Sequence, residues 1–208
     1  MKITKYLHSC LLVENDNKII LLDPGIYTEQ ENVLNLEQIP NIDIIGITHE
    51  HFDHMSIPFI KKIIAKYPQL QIFSNSAVKN ILEKENISVQ TENTEILKME
   101  HANHEKIWMG PSCENVEINL FDKFSHPGDS LSFTKTNEIL ALPIAAPWGS
   151  TNWAIEKALE IKPKIIIPIH DYQLKDEVRI GMCQRLEEYF KNFGIIFKKM
   201  ETGQTVEV

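Results

Sequence analysis

Apolar and polar positions along the chain alternate in blocks that predict a mixture of strands and helices. The first block predicts β structure, because two apolar runs, 5–13 and 18–22, flank the polar turn 15–17 in the manner of a hairpin. The next apolar run, 42–47, is continuous, as expected for a strand that is buried on both faces of a parallel sheet. The opening of the chain is therefore predicted to form a hairpin, followed by a buried strand of a parallel sheet.

Strands and helices then alternate, and the second half of the chain repeats the pattern of the first. Ser56 is placed to cap an amphipathic helix that runs to Tyr67, and a strand at 71–73 precedes a helix capped by Ser76. The pattern loosens between 87 and 116. Further predicted elements are the strands 116–120, 123–125, 138–142 and 164–169, the helices 152–161 and 175–193, and a closing strand pair, 195–199 and 204–208. Two sheets facing each other, with helices outside, would bury all of these apolar faces.

Length and charge narrow the classes of protein that fit. The 208 residues suffice for one core without disulfides, so we expect a single domain over 1–208. The net charge of −8 disfavours nucleic acid and anionic membranes as partners. The three cysteines are expected to be free thiols, since their number is odd and no CxxC motif is present. A cytoplasmic location is expected, because neither a signal-peptide pattern nor a run of 18 apolar residues is found.

One seven-residue stretch, 48–54, carries the strongest chemical signal. It reads Thr-His-Glu-His-Phe-Asp-His, so that His49, His51, Asp53 and His54 form the pattern His-x-His-x-Asp-His. Packing does not explain such crowding, because each unsatisfied buried polar group costs roughly 1–3 kcal/mol. The stretch follows a predicted parallel strand, where α/β sheets place their ligand sites. Imidazole and carboxylate together suit zinc, manganese or iron, although histidines bonded to loop carbonyls remain the structural alternative.

Three later residues are further candidate ligands, because each lies where a strand ends or the chain turns. His104 follows a strand-like run, and Asp129 lies in the turn His126-Pro127-Gly128-Asp129-Ser130. His170 stands directly after the apolar run 165–169. We expect these side chains to complete a metal site, since one loop cannot fill two metal shells.

These motifs, in this order, resemble the metallo-β-lactamase superfamily. The resemblance rests on the Asp23-Pro24-Gly25 turn after a hairpin, the His-x-His-x-Asp-His loop, a downstream histidine, the Gly-Asp-Ser turn and the last histidine. It covers residues 5 to 170 and implies a four-layer αβ/βα sandwich. Segments 125–130, 146–148 and 168–171 are similar to a branch of metal-dependent hydrolases related to L-ascorbate-6-phosphate lactonase.

The resemblance also implies a ligand set for two divalent metal ions, with zinc expected and manganese or iron as alternatives. His49, His51 and His104 would hold the first ion, Asp53, His54 and His170 the second, and Asp129 would bridge them. His101, three residues before His104, is the alternative ligand at that position.

The implied reaction is hydrolysis of an ester, lactone or phosphoester bond in a small molecule. Two cations would bind a bridging water and lower its pKa from about 16 towards 7. Asp53 would orient the resulting hydroxide and pass its proton to the leaving group. Rival functions are a phosphodiesterase or nuclease, a metal-binding protein without catalysis, and a redox di-metal protein. The oligomeric state stays open, and a homo-oligomer is among the alternatives.

Other polar residues near these motifs have two interpretations each. His126 either contacts substrate or donates a proton, or it hydrogen-bonds its own loop. His8 is expected to be structural, with support of the metal loop, residues 48–54, as the alternative. Asp23 and Asp171 are candidates to orient ligand histidines, or are simple turn and cap residues. The loop tryptophans, Trp108 and Trp148, either cover a core edge or form an apolar wall of the pocket.

Overall fold

The computed structural model describes residues 1–107 and 113–208, and within them the chain forms twelve strands and five α-helices. The strands are β1 (Lys2–Lys5), β2 (Leu11–Asn15), β3 (Lys18–Leu22), β4 (Ile44–Gly46), β5 (Gln71–Phe73), β6 (Leu97–His101), β7 (Val116–Leu120), β8 (Phe124–His126), β9 (Ile139–Pro143), β10 (Ile165–Ile169), β11 (Ile196–Phe197) and β12 (Thr205–Glu207). The helices are α1 (Ile26–Gln30), α2 (Ile57–Lys66), α3 (Ser76–Leu82), α4 (Thr151–Ile161) and α5 (Asp176–Lys191). None of the helices in these described ranges is both long and apolar enough to cross a membrane.

The chain divides into two compact units, each built on one mixed six-stranded sheet. The first unit contains residues 1–93 and 201–208, and the second contains residues 94–200. The first sheet has the order β12-β1-β2-β3-β4-β5, and the second has the order β11-β10-β9-β8-β7-β6. Two sheets with helices agree with the predicted α/β class, whereas the single domain over 1–208 stays a prediction.

The hairpin predicted at the start of the chain is confirmed as β2 and β3, which pair antiparallel. Its turn places Asp16 and Asn17 in the left-handed region, with φ of 48° and 60°. Two successive residues with positive φ match the right-handed twist of the flanking strands, and Asn and Asp tolerate this conformation well. The polar turn in the sequence therefore fixes the register of the hairpin.

The preceding apolar run, 5–13, is not one strand as predicted. The chain leaves β1 after Lys5 and makes a tight turn, in which Tyr6 N–H donates to Cys10 O at 2.9 Å and Cys10 N–H donates to Leu7 O at 3.0 Å. His8 lies inside this turn with a φ of 61°. The turn residues are apolar or buried, so hydrophobicity alone does not distinguish this turn from a strand.

In the first sheet, β3, β4 and β5 run parallel, and their carboxyl ends meet at one edge. Asp23 follows β3 and the His-x-His-x-Asp-His loop follows β4, as the sequence predicts. Ser56 then caps α2 by accepting a hydrogen bond from Phe59 N–H at 3.4 Å. The cap of α3 is Asn75, one residue before the predicted Ser76. A cluster of buried apolar side chains under α2 and α3 holds this edge in place.

In the second sheet, β8, β9, β10 and β11 run parallel, and β6 and β7 are antiparallel additions. Strand β6 lies in the stretch whose pattern loosens and was not predicted. The prediction that the last two strands form a closing pair is wrong, because β11 pairs with β10 and β12 pairs with β1. Asp129 follows β8 and His170 follows β10, so the parallel strands direct both residues to the same edge.

A buried carboxyl group lies on β7 of the second unit. Glu117 is 5% exposed, near the hydrogen-bonded side chains of Asn119 and Ser125. Burial raises the pKa of Glu117 to about 7, and the negative charge of Glu100 adds to the rise, while hydrogen bonds to Ser125 and Asn119 oppose it. Because the folded pKa lies above the unfolded value of 4.5, the folded protein binds more protons between these two values.

We therefore expect stability to fall as pH rises from 4.5 through about 7, and Glu117→Gln to remove this loss. At pH 8 the variant should unfold with a free energy roughly 2–3 kcal/mol higher than the parent, and near pH 5 the two should agree. Urea unfolding across pH measures both. Exposed Glu95→Gln is the control and should follow the parent. Equal stability of Glu117→Gln and the parent at pH 8 would contradict the assignment.

Candidate metal centre

Asp23 organises the histidine loop of the first unit. Its carboxylate is fully buried and accepts hydrogen bonds from Thr48 N–H and Thr48 Oγ1–H, both at 2.8 Å, and from His54 Nδ1–H at 2.7 Å. Because the Thr48 hydroxyl hydrogen goes to Asp23, Thr48 Oγ1 accepts from His49 Nδ1–H at 3.1 Å. Both histidines therefore carry their proton on Nδ1, and Nε2 is the nitrogen that can bind a metal.

The side chains of this loop lie close together. The ring centroids of His49 and His51 are 4.7 Å apart, and those of His49 and His54 are 4.0 Å apart. Ligand atoms of His8, Asp53 and His54 lie within 4.8 Å of one another, and His8 Nε2 is 3.1 Å from Asp53 Oδ2. The loop thus gathers the four predicted residues, and His8 joins them from the turn after β1.

In the second unit, Asp129 is the centre of a similar group. Its carboxylate oxygens lie 3.4 Å from His104 Nε2 and 3.2 Å from His170 Nε2, and Oδ2 accepts from Trp148 Nε1–H at 2.8 Å. His104 Nδ1–H donates to Glu105 O at 2.6 Å, and His170 Nδ1–H donates to Ala145 O at 2.8 Å. Backbone carbonyls only accept, so these two rings also carry a proton on Nδ1 and direct Nε2 to the carboxylate.

The donor chemistry of each unit fits a divalent transition metal. Imidazole nitrogens and carboxylate oxygens are ligands that zinc, manganese and iron share. In His49, His54, His104 and His170 the nitrogen remote from the proposed metal donates to an oxygen acceptor, which is the arrangement found for metal-bound histidines. Histidines held only by loop carbonyls, the structural alternative, do not explain why the Asp129 carboxylate lies beside Nε2 of both His104 and His170.

In the metal-free protein Asp129 also holds a proton on His104. Burial lowers the pKa of this histidine, but hydrogen bonds to Asp129 and Cys113 and the negative charge of Asp129 outweigh it and raise the pKa to about 10. A metal bound through His104 Nε2 would have to displace that proton, so the affinity for such a metal is expected to rise with pH.

His101 and His104, the two alternative ligands at this position, differ in burial. His104 is buried, whereas His101 is exposed at the end of β6, with Nε2 3.0 Å from Asn103 Oδ1. His126 is fully buried, and its Nδ1 accepts from Gly128 N–H at 3.2 Å, so its neutral ring carries the proton on Nε2. His126 therefore has the tautomer opposite to that of the four oriented histidines, and its own loop orients it.

Three buried residues near the candidate ligands have left-handed backbone conformations. Ten residues other than glycine have positive φ among the described residues, and the three buried ones are His8 (61°), Asp23 (44°) and His170 (60°). Positive φ is uncommon for such residues and persists only where surrounding contacts impose it. All three belong to the groups around the candidate ligands, so the polar contacts there determine the local backbone.

Sequence reasoning missed two neighbours of the ligands and gave a third only as an alternative. His8 was expected to be structural, with support of the metal loop as the alternative, and it lies beside Asp53. Trp148 is buried and acts through its indole N–H on Asp129, while Trp108 lies outside the described residues. Cys113 is half-buried and contacts His104. The only sequence signal for His8 was its position as a polar residue inside an apolar run, and no sequence signal indicated the contacts of Trp148 and Cys113.

Known proteins share this fold and much of the chain. A family model described as "Beta-lactamase superfamily domain" matches residues 2–170. A protein named UPF0173 metal-dependent hydrolase, from Methanosarcina mazei, is 28% identical over 204 residues, with 86% of each chain covered. The metallo hydrolase Igni18 from Ignicoccus hospitalis matches with a TM-score of 0.73 at 19% identity, over 99% of this chain and 97% of that one. The metallo-beta-lactamase fold protein YhfI from Bacillus subtilis matches with a TM-score of 0.66 at 15% identity, over 99% and 98%.

These likenesses confirm the predicted α/β metallo-β-lactamase fold class. The expected superfamily is borne out by the family model, and the finer relation to L-ascorbate-6-phosphate lactonase stays a prediction.

Gly25 allows the metal loop its close approach to the Asp23-Pro24-Gly25 turn. A Cβ added at Gly25 would lie 1.8 Å from Asp53 O and 2.9 Å from His54 N, both of them backbone atoms. Gly25→Ala should therefore lower the free energy of unfolding of the metal-free protein by about 3 kcal/mol, because the loop must move. Gly181→Ala in α5 is the control, since its Cβ meets nothing closer than 3.8 Å and should cost nothing. Equal stability of the two variants in urea unfolding would refute this reasoning.

Proposed function

The chain belongs to the beta-lactamase superfamily, and we propose that it is a metal-dependent hydrolase of a small molecule. The observation that carries the proposal is the set of buried histidines whose Nδ1–H groups are bonded to oxygen acceptors. In this tautomer Nε2 is the ring nitrogen that would bind a metal. Support also comes from relatives that carry the name metal-dependent hydrolase.

We further propose that two divalent ions, zinc in the first place, are bound by seven side chains. The residues would be His49, His51, Asp53, His54, His104, Asp129 and His170. The family order of these ligands supports the assignment, and so does the donor chemistry within each unit. Asp23 and the carbonyl oxygens of Glu105 and Ala145 would hold the rings in orientation.

The reaction we propose is hydrolysis of an ester, lactone or phosphoester. Bound metal would act as a Lewis acid. It would lower the pKa of a bound water towards about 7 and polarise the carbonyl or phosphoryl oxygen of the substrate. Asp53 would accept a proton on its carboxylate from the attacking water and pass it to the leaving group. His126 is proposed as a second proton donor through Nε2–H, the nitrogen that its bond with Gly128 leaves protonated.

The surface of the metal loop supports the proposal of a small-molecule substrate through one exposed aromatic side chain. Phe52 is 60% exposed between two proposed ligands, and its ring lies edge-to-face with Tyr27 at 6.1 Å. This aromatic pair would offer an apolar contact to one part of the substrate. Hydrolysis of a lactone, which the predicted relation to L-ascorbate-6-phosphate lactonase favours, is one form of the proposal. We also propose a cytoplasmic location, as expected from the sequence.

Phosphodiesterase activity is the second candidate, because the same donor set stabilises phosphoryl oxygen. The net charge of −8 favours a short phosphorylated substrate over a nucleic acid. A panel of generic lactones, carboxylic esters and phosphodiesters, assayed with zinc-loaded and manganese-loaded protein, tests the proposal. Turnover of none of them by either form would count against a hydrolase, and an iron spectrum with redox activity would favour the redox alternative.

Metal stoichiometry tests the ligand set. The metal-free protein should bind two equivalents of zinc, and His54→Ala or His170→Ala should selectively weaken the second equivalent, because each removes one of its proposed nitrogen ligands. His104→Ala should reduce binding far more than His101→Ala, the exposed control. Titration with a competing chelator measures each step. Saturation at one equivalent in the parent would rule out a dinuclear centre, and the reverse ranking would move the ligand to His101.

Asp53→Asn tests the proposed proton transfer. The amide keeps the shape of the side chain but removes its charge and its capacity to accept a proton. Hydrolysis of whichever generic substrate the parent cleaves should fall at least about a hundredfold, the scale for loss of a positioned acid–base group. Metal content should fall only partly, and Asp16→Asn in the exposed hairpin turn should match the parent. If Asp53→Asn retained near-full activity with both metals bound, His126 would become the candidate for this role.

A further inference from the structure

His8 occupies a position where the backbone favours glycine. It lies in the turn between β1 and β2, with a φ of 61°. Glycine adopts this conformation readily, whereas a side chain with Cβ pays a steric cost that local contacts must offset. The turn is closed by two backbone hydrogen bonds, from Tyr6 N–H to Cys10 O and from Cys10 N–H to Leu7 O. The ring therefore has to be explained by what it contacts.

The imidazole of His8 is held among residues of the metal loop. It is 1% exposed, and its ring lies edge-to-face with His54 at 5.5 Å and with Tyr27 at 5.3 Å. Its Nε2 is 3.1 Å from Asp53 Oδ2, within ion-pair distance of the carboxylate. The two aromatic contacts set the plane of the ring, and the turn sets its position, so Nε2 is held beside one oxygen of the carboxylate.

We propose that His8 is a positioning residue for Asp53. Its turn and its packed ring keep Nε2 beside Oδ2, so that the carboxylate is held in one orientation before a metal binds. This inference rests on the proposed function, in which Asp53 is a ligand. Ligands that are hydrogen-bonded by neighbouring side chains bind metal more tightly, and loss of such a partner commonly costs about 10- to 100-fold in affinity.

Two substitutions separate the contact with Asp53 from the backbone conformation of the turn. Asparagine tolerates the left-handed conformation but is too short to reach Asp53, so His8→Asn keeps the turn and removes the contact. Glutamine carries an amide N–H at a reach similar to that of Nε2, so His8→Gln should restore the contact. Asn86→Gly is a matched control, because Asn86 also has a φ of 60° but is exposed in the same unit.

The experiment is zinc titration of the metal-free proteins against a chelator, with thermal unfolding of the same metal-free samples. His8→Asn should weaken the equivalent that His54→Ala also weakens by about 10- to 100-fold. The other equivalent should change by less than about twofold, and His8→Gln should recover most of the loss, as expected for a polar contact that only orients a ligand. Asn86→Gly should bind zinc as the parent does.

Three results would overturn the inference. His8→Asn could bind both equivalents as the parent does, in which case the contact with Asp53 contributes nothing. His8→Gln could be as weak as His8→Asn, or His8→Asn could weaken both equivalents alike together with the unfolding temperature, and His8 would then be part of the scaffold only. If the parent itself binds no zinc, the proposed function fails and this inference fails with it. The three results above leave the proposed function standing.

Discussion

The carboxylate of Asp23 is the interaction on which the metal loop depends. A buried carboxylate is costly unless hydrogen bonds replace its hydration. Here the replacements come from Thr48 and His54, so the loop can satisfy Asp23 only by folding over it. The left-handed backbone of Asp23 and the bare backbone of Gly25 bring the two segments close enough for these bonds to form. One side chain thereby fixes the position of His54 and, through Thr48, the orientation of His49.

Asp129 has a comparable function in the second unit, although its partners differ. Trp148 Nε1–H bonds its carboxylate, and Asn115 Oδ1 accepts from Asp129 N–H at 3.3 Å. The Asn115 amide nitrogen also donates to Ala102 O and Pro127 O, so it ties together the segments that carry His104 and Asp129. In both units a buried polar network, more than apolar packing, determines where the imidazoles point.

Much of the fold could be predicted because local signals and tertiary structure agree. The strands 71–73 and 116–120 have the predicted bounds, and the polar turn at Asp16 and Asn17 gives the expected hairpin. Strand β6 was missed because its alternation is weak, with only Leu97 fully buried and the next residues half-exposed. The pairing of β12 with β1 joins the two ends of the chain, and no local pattern contains that information.

The candidate ligands were visible because metal chemistry requires particular residue types at strand ends. Their supporting residues were harder to find. Trp148 and Asn115 look like ordinary loop residues, and His8 lies in an apolar run that reads as strand. Their roles depend on contacts between distant segments, for example the 45 positions between His8 and Asp53. Contacts between distant segments follow from the fold and leave no periodic pattern in the sequence.

X-ray absorption at the zinc edge of the zinc-loaded protein tests the central claim most directly, because it measures which atoms surround the metal. The account predicts shells of imidazole nitrogen and carboxylate oxygen at about 2.0–2.2 Å, with the multiple-scattering signature of several histidine rings. The same spectrum from His49→Ala and His170→Ala proteins should contain fewer imidazoles per metal. A shell made only of oxygen, unchanged by either substitution, would show that these histidines do not hold the metal.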